Sequence, residues 1–352
     1  VRLNDLQSAP AGFTEPAPLE GLSNTDPISG HGTFVGGIIA GSGTASGGKF
    51  AGVAPGSKLL GLSAGDLNLT HVLAGFDYLL EKHAAFGVRV VNCSFSSNTA
   101  FDVNDPVNIA TRMLTDAGIN VVVSAGNTGP GNGSLNPYAA APWVIGVGAS
   151  AVDGSLAKFS SRSGFGSPLR PSLVAPGVNV AGLRTVGTVT GVAGLPSADT
   201  ERLSLTEMPY YTTASGTSFS APQVAGAVAL MLEADPDLTP AEVKEILSRT
   251  ATPMPKYFFH EAGAGMLNTH AAVLEAQFPE RRMGVFRAAA SANALKFVTE
   301  QLASFEEIVT PGSPTAVAAT LPQDTVQADF GIVWGPSAND FRLSVFGQGG
   351  GL

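Results

Sequence analysis

The stretch Ile119-Asn-Val-Val-Val-Ser-Ala-Gly-Asn-Thr-Gly129 reads as a buried β-strand that runs straight into a glycine turn. Its three consecutive valines are β-branched, which suits a pleated strand, and they leave no position for solvent. A strand covered on both faces belongs to a parallel sheet. Asn127 then falls at the C-terminal end of the strand, where open parallel sheets place their sites.

Working outward, Pro106 to Ala117 reads as a helix and Val88-Arg-Val-Val-Asn-Cys-Ser-Phe95 as a second buried strand. Further upstream, Thr70 is expected to cap a helix whose apolar positions Val72, Leu73, Phe76, Leu79 and Leu80 recur at helical spacing. Lys58-Leu-Leu-Gly-Leu-Ser63 reads as another strand. Downstream, Trp143-Val-Ile-Gly-Val-Gly148 is a strand. Val224 to Glu233 and Pro240 to Ser248 are helices, the second with Thr239 as cap and Glu242 as its capping-box partner. Val178 to Tyr210 breaks this alternation and reads as strands or an extended loop. The fold class is α/β, a doubly wound parallel sheet with helices on both faces.

Of the 352 residues, 44% are hydrophobic and 13% charged, a composition that folds. The 43 glycines and 24 prolines call for many tight turns. A net charge of -9 disfavours nucleic acid and anionic membrane surfaces as partners. The single cysteine, Cys93, excludes an intrachain disulfide and is expected as a packed strand residue. The apolar stretch from Val224 to Leu232 is too short to span a bilayer.

Residues 1–277 carry the α/β alternation. Residues 278–304, with Arg281, Arg282 and an alanine-rich run, read as a linker. Residues 305–352 turn all-β, with runs at Glu306–Gly312, Thr315–Leu321, Gln327–Trp334 and Asn339–Phe346. These are the start of a C-terminal β-sandwich, with too few strands to close one. The expectation is a chain cut at both ends.

Acyl transfer to water needs a nucleophile, a base, a group that orients the base, and donors for the oxyanion. Ser218 lies in Ser215-Gly-Thr-Ser-Phe-Ser-Ala-Pro-Gln-Val-Ala-Gly226, at the start of a small-residue helix whose N-terminus favours negative charge. Pro222 is expected early in that helix, where a missing N–H costs little. His31 opens His31-Gly-Thr-Phe-Val-Gly-Gly37, again a helix start crowded with small residues. Asn127 carries an amide that can donate to an oxyanion, although an Asn there also suits a plain turn. His71, His83, His260 and His270 have no comparable context.

These three segments resemble the subtilisin-like serine proteases, the subtilase family. The resemblance covers roughly residues 1–277 and includes Ala51-Gly-Val-Ala-Pro-Gly56, Asn92-Cys-Ser-Phe-Ser96, Val174-Ala-Pro-Gly177 and Gly263-Ala-Gly-Met-Leu-Asn268. It implies a serine endopeptidase needing no cofactor for catalysis. His31 would be the general base and Ser218 the nucleophile, with Asn127 and the Ser218 N–H as oxyanion donors. The substrate strand maps onto Ser94, Phe95 and Ser96, where substrate pairs as an added strand. Ser124, Ala125 and Gly126 form the opposite wall. The same resemblance implies protein or peptide substrates, a pro-segment of its own as a further partner, and a secreted or cell-surface bacterial protein whose signal peptide is not in this chain.

The chain departs from the family in several places. Phe34 stands where a second histidine is frequent, Ser96 where a glycine usually ends the substrate strand, and Gln223 where the serine helix often has histidine. Gly41 to Phe50 holds no carboxylate or Asn side chain, so the calcium site of some relatives is not expected there. A structural calcium elsewhere has no location in the sequence, and no metal ligand is assigned. The third triad member normally sits in an Asp-Ser/Thr-Gly turn, and none occurs in the 30 residues before His31. Val1-Arg-Leu-Asn-Asp-Leu6 resembles the family segment directly after that turn, so the Asp is expected just upstream of Val1. Asp5 better matches a later family Asp, and Asp26 falls in the loop leading to the His31 helix. On this reading the 352-residue chain by itself is inactive or strongly impaired. The competing reading is a catalytically dead subtilase-like binding protein. An esterase of the α/β-hydrolase type is disfavoured because Ser218 is not in a Gly-x-Ser-x-Gly elbow.

Overall fold

The computed structural model describes residues 20–21, 26, 29–64, 68–164, 167, 171–185 and 197–279. All of them fall in the first of the two units into which the chain divides, Val1–Gly284. Asp5, nearly all of the 278–304 linker and the β-runs after residue 305 lie outside the described residues.

Four strands run parallel and in chain order: β1 (Val90–Cys93), β2 (Asn120–Ser124), β3 (Ile145–Ser150) and β4 (Leu173–Pro176). Val91 stands opposite Val121, Val123 opposite Gly146, and Val147 opposite Leu173. Side chains alternate across a strand, so the valine run of β2 feeds two cores at once. Val121 and Val123 join Cys93 against α2 (Leu69–Phe86) and α3 (Pro106–Asp116), where they meet Phe76, Leu79, Val107 and Leu114. Val122 points the other way, with Ile145, Val147 and Leu173, against α5 (Thr217–Ala234), α6 (Pro240–Thr250) and α8 (Thr269–Gln277). All three β2 valines are at most 1% exposed. Burying each contributes about 1.5–3 kcal/mol. A charged residue at any of them would break the layer. The doubly wound α/β fold expected from the sequence is the fold observed.

α5 is the central helix of its face. Ala221, Val224, Ala225, Val228 and Met231 are buried along it. It starts at Thr217, beside Ser218 as its motif implied, and Pro222 lies in its second turn. A proline there removes the N–H that would bond the Ser218 carbonyl. Ser94 Oγ supplies the missing donor at 2.9 Å.

α1 (His31–Ala40) packs on α5 and on β5 (Val180–Leu183), which pairs antiparallel with β6 (Tyr211–Ala214). The approach is close: a Cβ added to Gly182 would come within 2.6 Å of the Phe34 ring. Gly182→Ala would therefore push α1 off the hairpin.

Other expectations need correction. Lys58–Ser63 forms no strand of the sheet; Leu60 and Leu62 lean on the α2 core while Leu59 is exposed, so the run is covered on one side only. Asn68, not Thr70, caps α2, its Oδ1 accepting from Thr70 N at 3.1 Å. The strands expected from Val88, Ile119 and Trp143 begin at Val90, Asn120 and Ile145. Within Val178–Tyr210 a short helix, α4 (Ser197–Arg202), appears. The buried Asp199 fixes it, accepting from Thr213 N and Thr213 Oγ1 at 2.6 Å each and pairing with Arg184 at 2.8 Å. The capping box of α6 is as expected, with Thr239 and Glu242 bonded reciprocally.

Candidate active site

The C-terminal ends of β1 and β2 and the N-terminal end of α5 converge. Ser218 is the second residue of α5 and half-buried. Its Oγ donates to Ser94 O at 3.4 Å, while Ser94 Oγ donates to Ser218 O at 2.9 Å. Asn92 Nδ2 in turn donates to Ser94 Oγ at 2.9 Å. The nucleophile candidate and the segment that continues from β1 thus hold each other by a reciprocal pair.

Asn127 is exposed, just beyond β2. Its Oδ1 accepts from Thr217 N at 2.8 Å and from Thr217 Oγ1 at 2.9 Å. A backbone N–H can only donate, so the atom facing it is the amide oxygen. The Nδ2 is thereby turned toward Gly216, where an added Cβ would lie 3.4 Å from it. Thr217 Oγ1 also accepts from Gly126 N at 3.1 Å. One buried hydroxyl therefore ties the glycine turn to the serine helix.

Ser124, Ala125 and Gly126 are buried, and their backbone bonds are made within the protein. Ala125 N donates to Val147 O, Ala125 O accepts from Asn136 N, and Gly126 O accepts from Ser161 N. They can form a wall but do not offer these groups to an added strand. Across from them, Ser94 and Phe95 are half-buried and Ser96 is exposed. Asn136 spans the two segments. Its buried Nδ2 donates to Phe95 O at 2.9 Å and to Ser124 O at 2.7 Å. Sequence reading passed over Asn136, because nothing local distinguishes a bridging Asn from a turn Asn.

His31 is the first residue of α1 and half-buried. Its ring lies 5.6 Å from that of Phe219, the residue after Ser218. Phe219 in turn sits 4.5 Å from Phe34, so the aromatic ring at the departure from the family pattern joins α1 to α5. Among the described residues no hydrogen bond joins the His31 imidazole to Ser218; the hydroxyl is turned to Ser94. Burial holds the His31 imidazole below its ordinary range, and the charge of Asp26 works in the opposite direction. Gln223, a further departure, donates from Nε2 to Pro176 O at 2.6 Å and Phe219 O at 3.0 Å, beneath the serine turn.

The remaining histidines are elsewhere: His71 and His260 are buried, His83 leans on the α2 backbone at Leu79 O and Leu80 O, and His270 is exposed. The Cys93 thiol is buried, which pushes it up to about 12, so it is no nucleophile. Among the described residues no group of three or more His, Cys, Asp or Glu could hold a metal ion. Nor is any described helix long and apolar enough to cross a membrane.

Comparison with known proteins bears on this arrangement. The model of a family described as the Subtilase family, Peptidase_S8, matches residues 15–272. Serine protease AprX of Bacillus subtilis (strain 168) is 30% identical over 292 residues, which cover 76% of this chain and 63% of AprX. This chain therefore spans less than two thirds of that relative. Subtilisin DY of Bacillus licheniformis is 31% identical over 256 residues, covering 71% of this chain and 79% of its own. Among solved structures, the patellamide maturation protease PatA matches with a TM-score of 0.54 at 24% identity, over 71% of this chain and 85% of that one. That likeness concerns the fold.

Proposed function

Since this chain belongs to the subtilase family of serine proteases, we propose that it is a serine endopeptidase acting through Ser218, His31 and Asn127. The observation that carries this reading is the fixed amide of Asn127. With Oδ1 held by Thr217, its Nδ2 is committed to donate at the N-terminus of the helix that bears Ser218. A preorganised donor at the point where negative charge develops is the largest single contribution to acyl transfer.

In the first step, Ser218 Oγ–H leaves its long bond to Ser94 O and gives its proton to His31. The oxygen attacks the scissile carbonyl carbon, whose oxygen becomes the oxyanion. Asn127 Nδ2 and the Ser218 N–H donate to it, and the partial positive charge at the start of α5 supports it. His31 then passes its proton to the departing amine, which leaves an acyl-enzyme on Ser218. Water, deprotonated by His31, repeats the sequence and releases the acid. A base held below its ordinary pKa stays neutral, and so able to accept, in mildly acidic solution.

The substrate is a polypeptide lying along Ser94, Phe95 and Ser96, with Ser124, Ala125 and Gly126 as the facing wall. The Phe95 carbonyl is engaged by Asn136, so substrate bonds fall on the other backbone groups of that segment. A catalytic unit over 1–277, a linker and a β-rich extension remain the reading of the domain plan. A pro-segment partner and work outside the cell are what the resemblance implies.

The test is covalent labelling with a serine-directed fluorophosphonate, mapped by mass spectrometry. Modification at Ser218, lost in Ser218→Ala and reduced in His31→Ala, is the expected result. An unmodified Ser218 overturns the proposal and favours the second reading, a binding protein of this fold without turnover. That second reading draws on the Ser218 hydroxyl facing Ser94 instead of His31.

A further inference from the structure

α1 lacks an ordinary cap. Its N-cap residue is Gly30, which has no side chain to offer and sits at φ 73, in the left-handed region. Yet the donors of Gly30, His31 and Thr33 find side-chain acceptors. Asp26 Oδ1 accepts from Gly30 N at 2.8 Å. Asp26 Oδ2 accepts from Thr33 N at 2.8 Å and from Thr33 Oγ1 at 2.9 Å. His31 N donates to Ser29 Oγ at 3.3 Å. A Cβ added to Gly32 would lie 3.5 Å from Asp26 Oδ2, so the carboxylate lies over the turn from which the imidazole projects. The loop is also anchored from outside: Thr185 Oγ1 donates to Asp26 O at 3.2 Å and lies 3.3 Å from Thr33 Oγ1.

From this geometry we propose that Asp26 is a positioning residue for His31, setting the start of its helix and supporting the protonated imidazole during turnover. The proposal rests on His31 being the general base. Asp26 is assigned no contact with substrate and no proton of its own. Its part is to fix where the ring begins and to hold a negative charge beside it.

Among the described residues, the other elements packed around His31 do not supply that charge. α5 presents Thr217, Ser218 and Phe219, and its first turn has no acidic residue. β5 reads Val180-Ala-Gly-Leu183 and has no titratable side chain; the next residue, Arg184, is paired with Asp199. The Phe219 ring on the near side is apolar. Burial there disfavours an imidazolium, and Asp26 is the carboxylate whose charge opposes that.

Two variants probe the charge. Asp26→Asn removes it and keeps only one of the two accepting oxygens, since an amide nitrogen cannot accept from Gly30 N or Thr33 N. Asp26→Glu keeps the charge. The readout is the His31 titration, monitored by NMR on the intact chain, together with the acid limb of kcat/KM where activity is measured. The expected result is a His31 midpoint at lower pH in Asp26→Asn, an acid limb moved the same way, and a midpoint near the parent's in Asp26→Glu. Asp26→Ala, which loses the cap as well, should lower the folding equilibrium constant about fivefold. Coincident His31 midpoints in the parent and Asp26→Asn overturn the proposal. The NMR titration needs no turnover. If Ser218 resists labelling, the protease reading falls while the hold of Asp26 on His31 is still measured.

Discussion

α1 and α5 each carry a reactive side chain in their first turn, yet groups of different charge close their N-termini. At α5 the cap is a neutral amide oxygen, Asn127 Oδ1, accepting from Thr217 N. At α1 it is a carboxylate, Asp26, accepting from Gly30 N and Thr33 N. A helix N-terminus carries about half a positive charge. A neutral cap leaves that field free to act on an anion, which suits the proposed oxyanion at that end. A carboxylate cap cancels it, which suits a histidine proposed to become a cation. The same backbone device is thus turned to opposite ends by one unit of side-chain charge.

The largest effect should come from the neutral cap. Asn127→Ala is expected to lower kcat about 100- to 1000-fold with KM little changed, a scale established on subtilisin itself. Steady-state kinetics on a peptide substrate read it, and a loss confined to KM would break the comparison. Thr217→Val comes next. It strips Gly126 N and Asn127 Oδ1 of the shared hydroxyl, and a buried orphan donor costs about 1–3 kcal/mol. Urea unfolding should show that loss together with a fall in kcat. Asp26→Ala removes the charged cap and should cost about 1 kcal/mol by the same measurement. Last is a direction without an energy. The base must be neutral to work, and burial lowers its pKa, so the acid limb of kcat/KM should lie below 6.5, the ordinary imidazole value. A limb above that value would mean that the charge of Asp26 outweighs burial.

What could be read from the sequence was whatever depends on neighbours along the chain. The valine run of β2, the capping box at Thr239 and Glu242, and the helix starts at His31 and near Ser218 are all local patterns. Pro222 misled, because a proline inside a helix is tolerated only where another group takes over its missing donor. That group, Ser94, is 124 residues in sequence from the Ser218 carbonyl it serves. α4 was invisible for the same reason: Thr213 and Arg184 hold Asp199, and both approach it only in the folded chain. Asn136 and Asp26 are ordinary polar residues in turn-rich segments until the fold brings Phe95, Ser124 and Thr33 to them.

Cys93 closes β1 one residue before Ser94 and is the chain's sole cysteine. It is 3% exposed, and burial pushes its thiol up to about 12. A thiol reagent therefore has one target in these 352 residues and reaches it only when the end of β1 detaches from the α2 and α3 core. The rate of that modification is a built-in clock for excursions of one rim of the cleft, and its dependence on urea distinguishes local fraying from global unfolding.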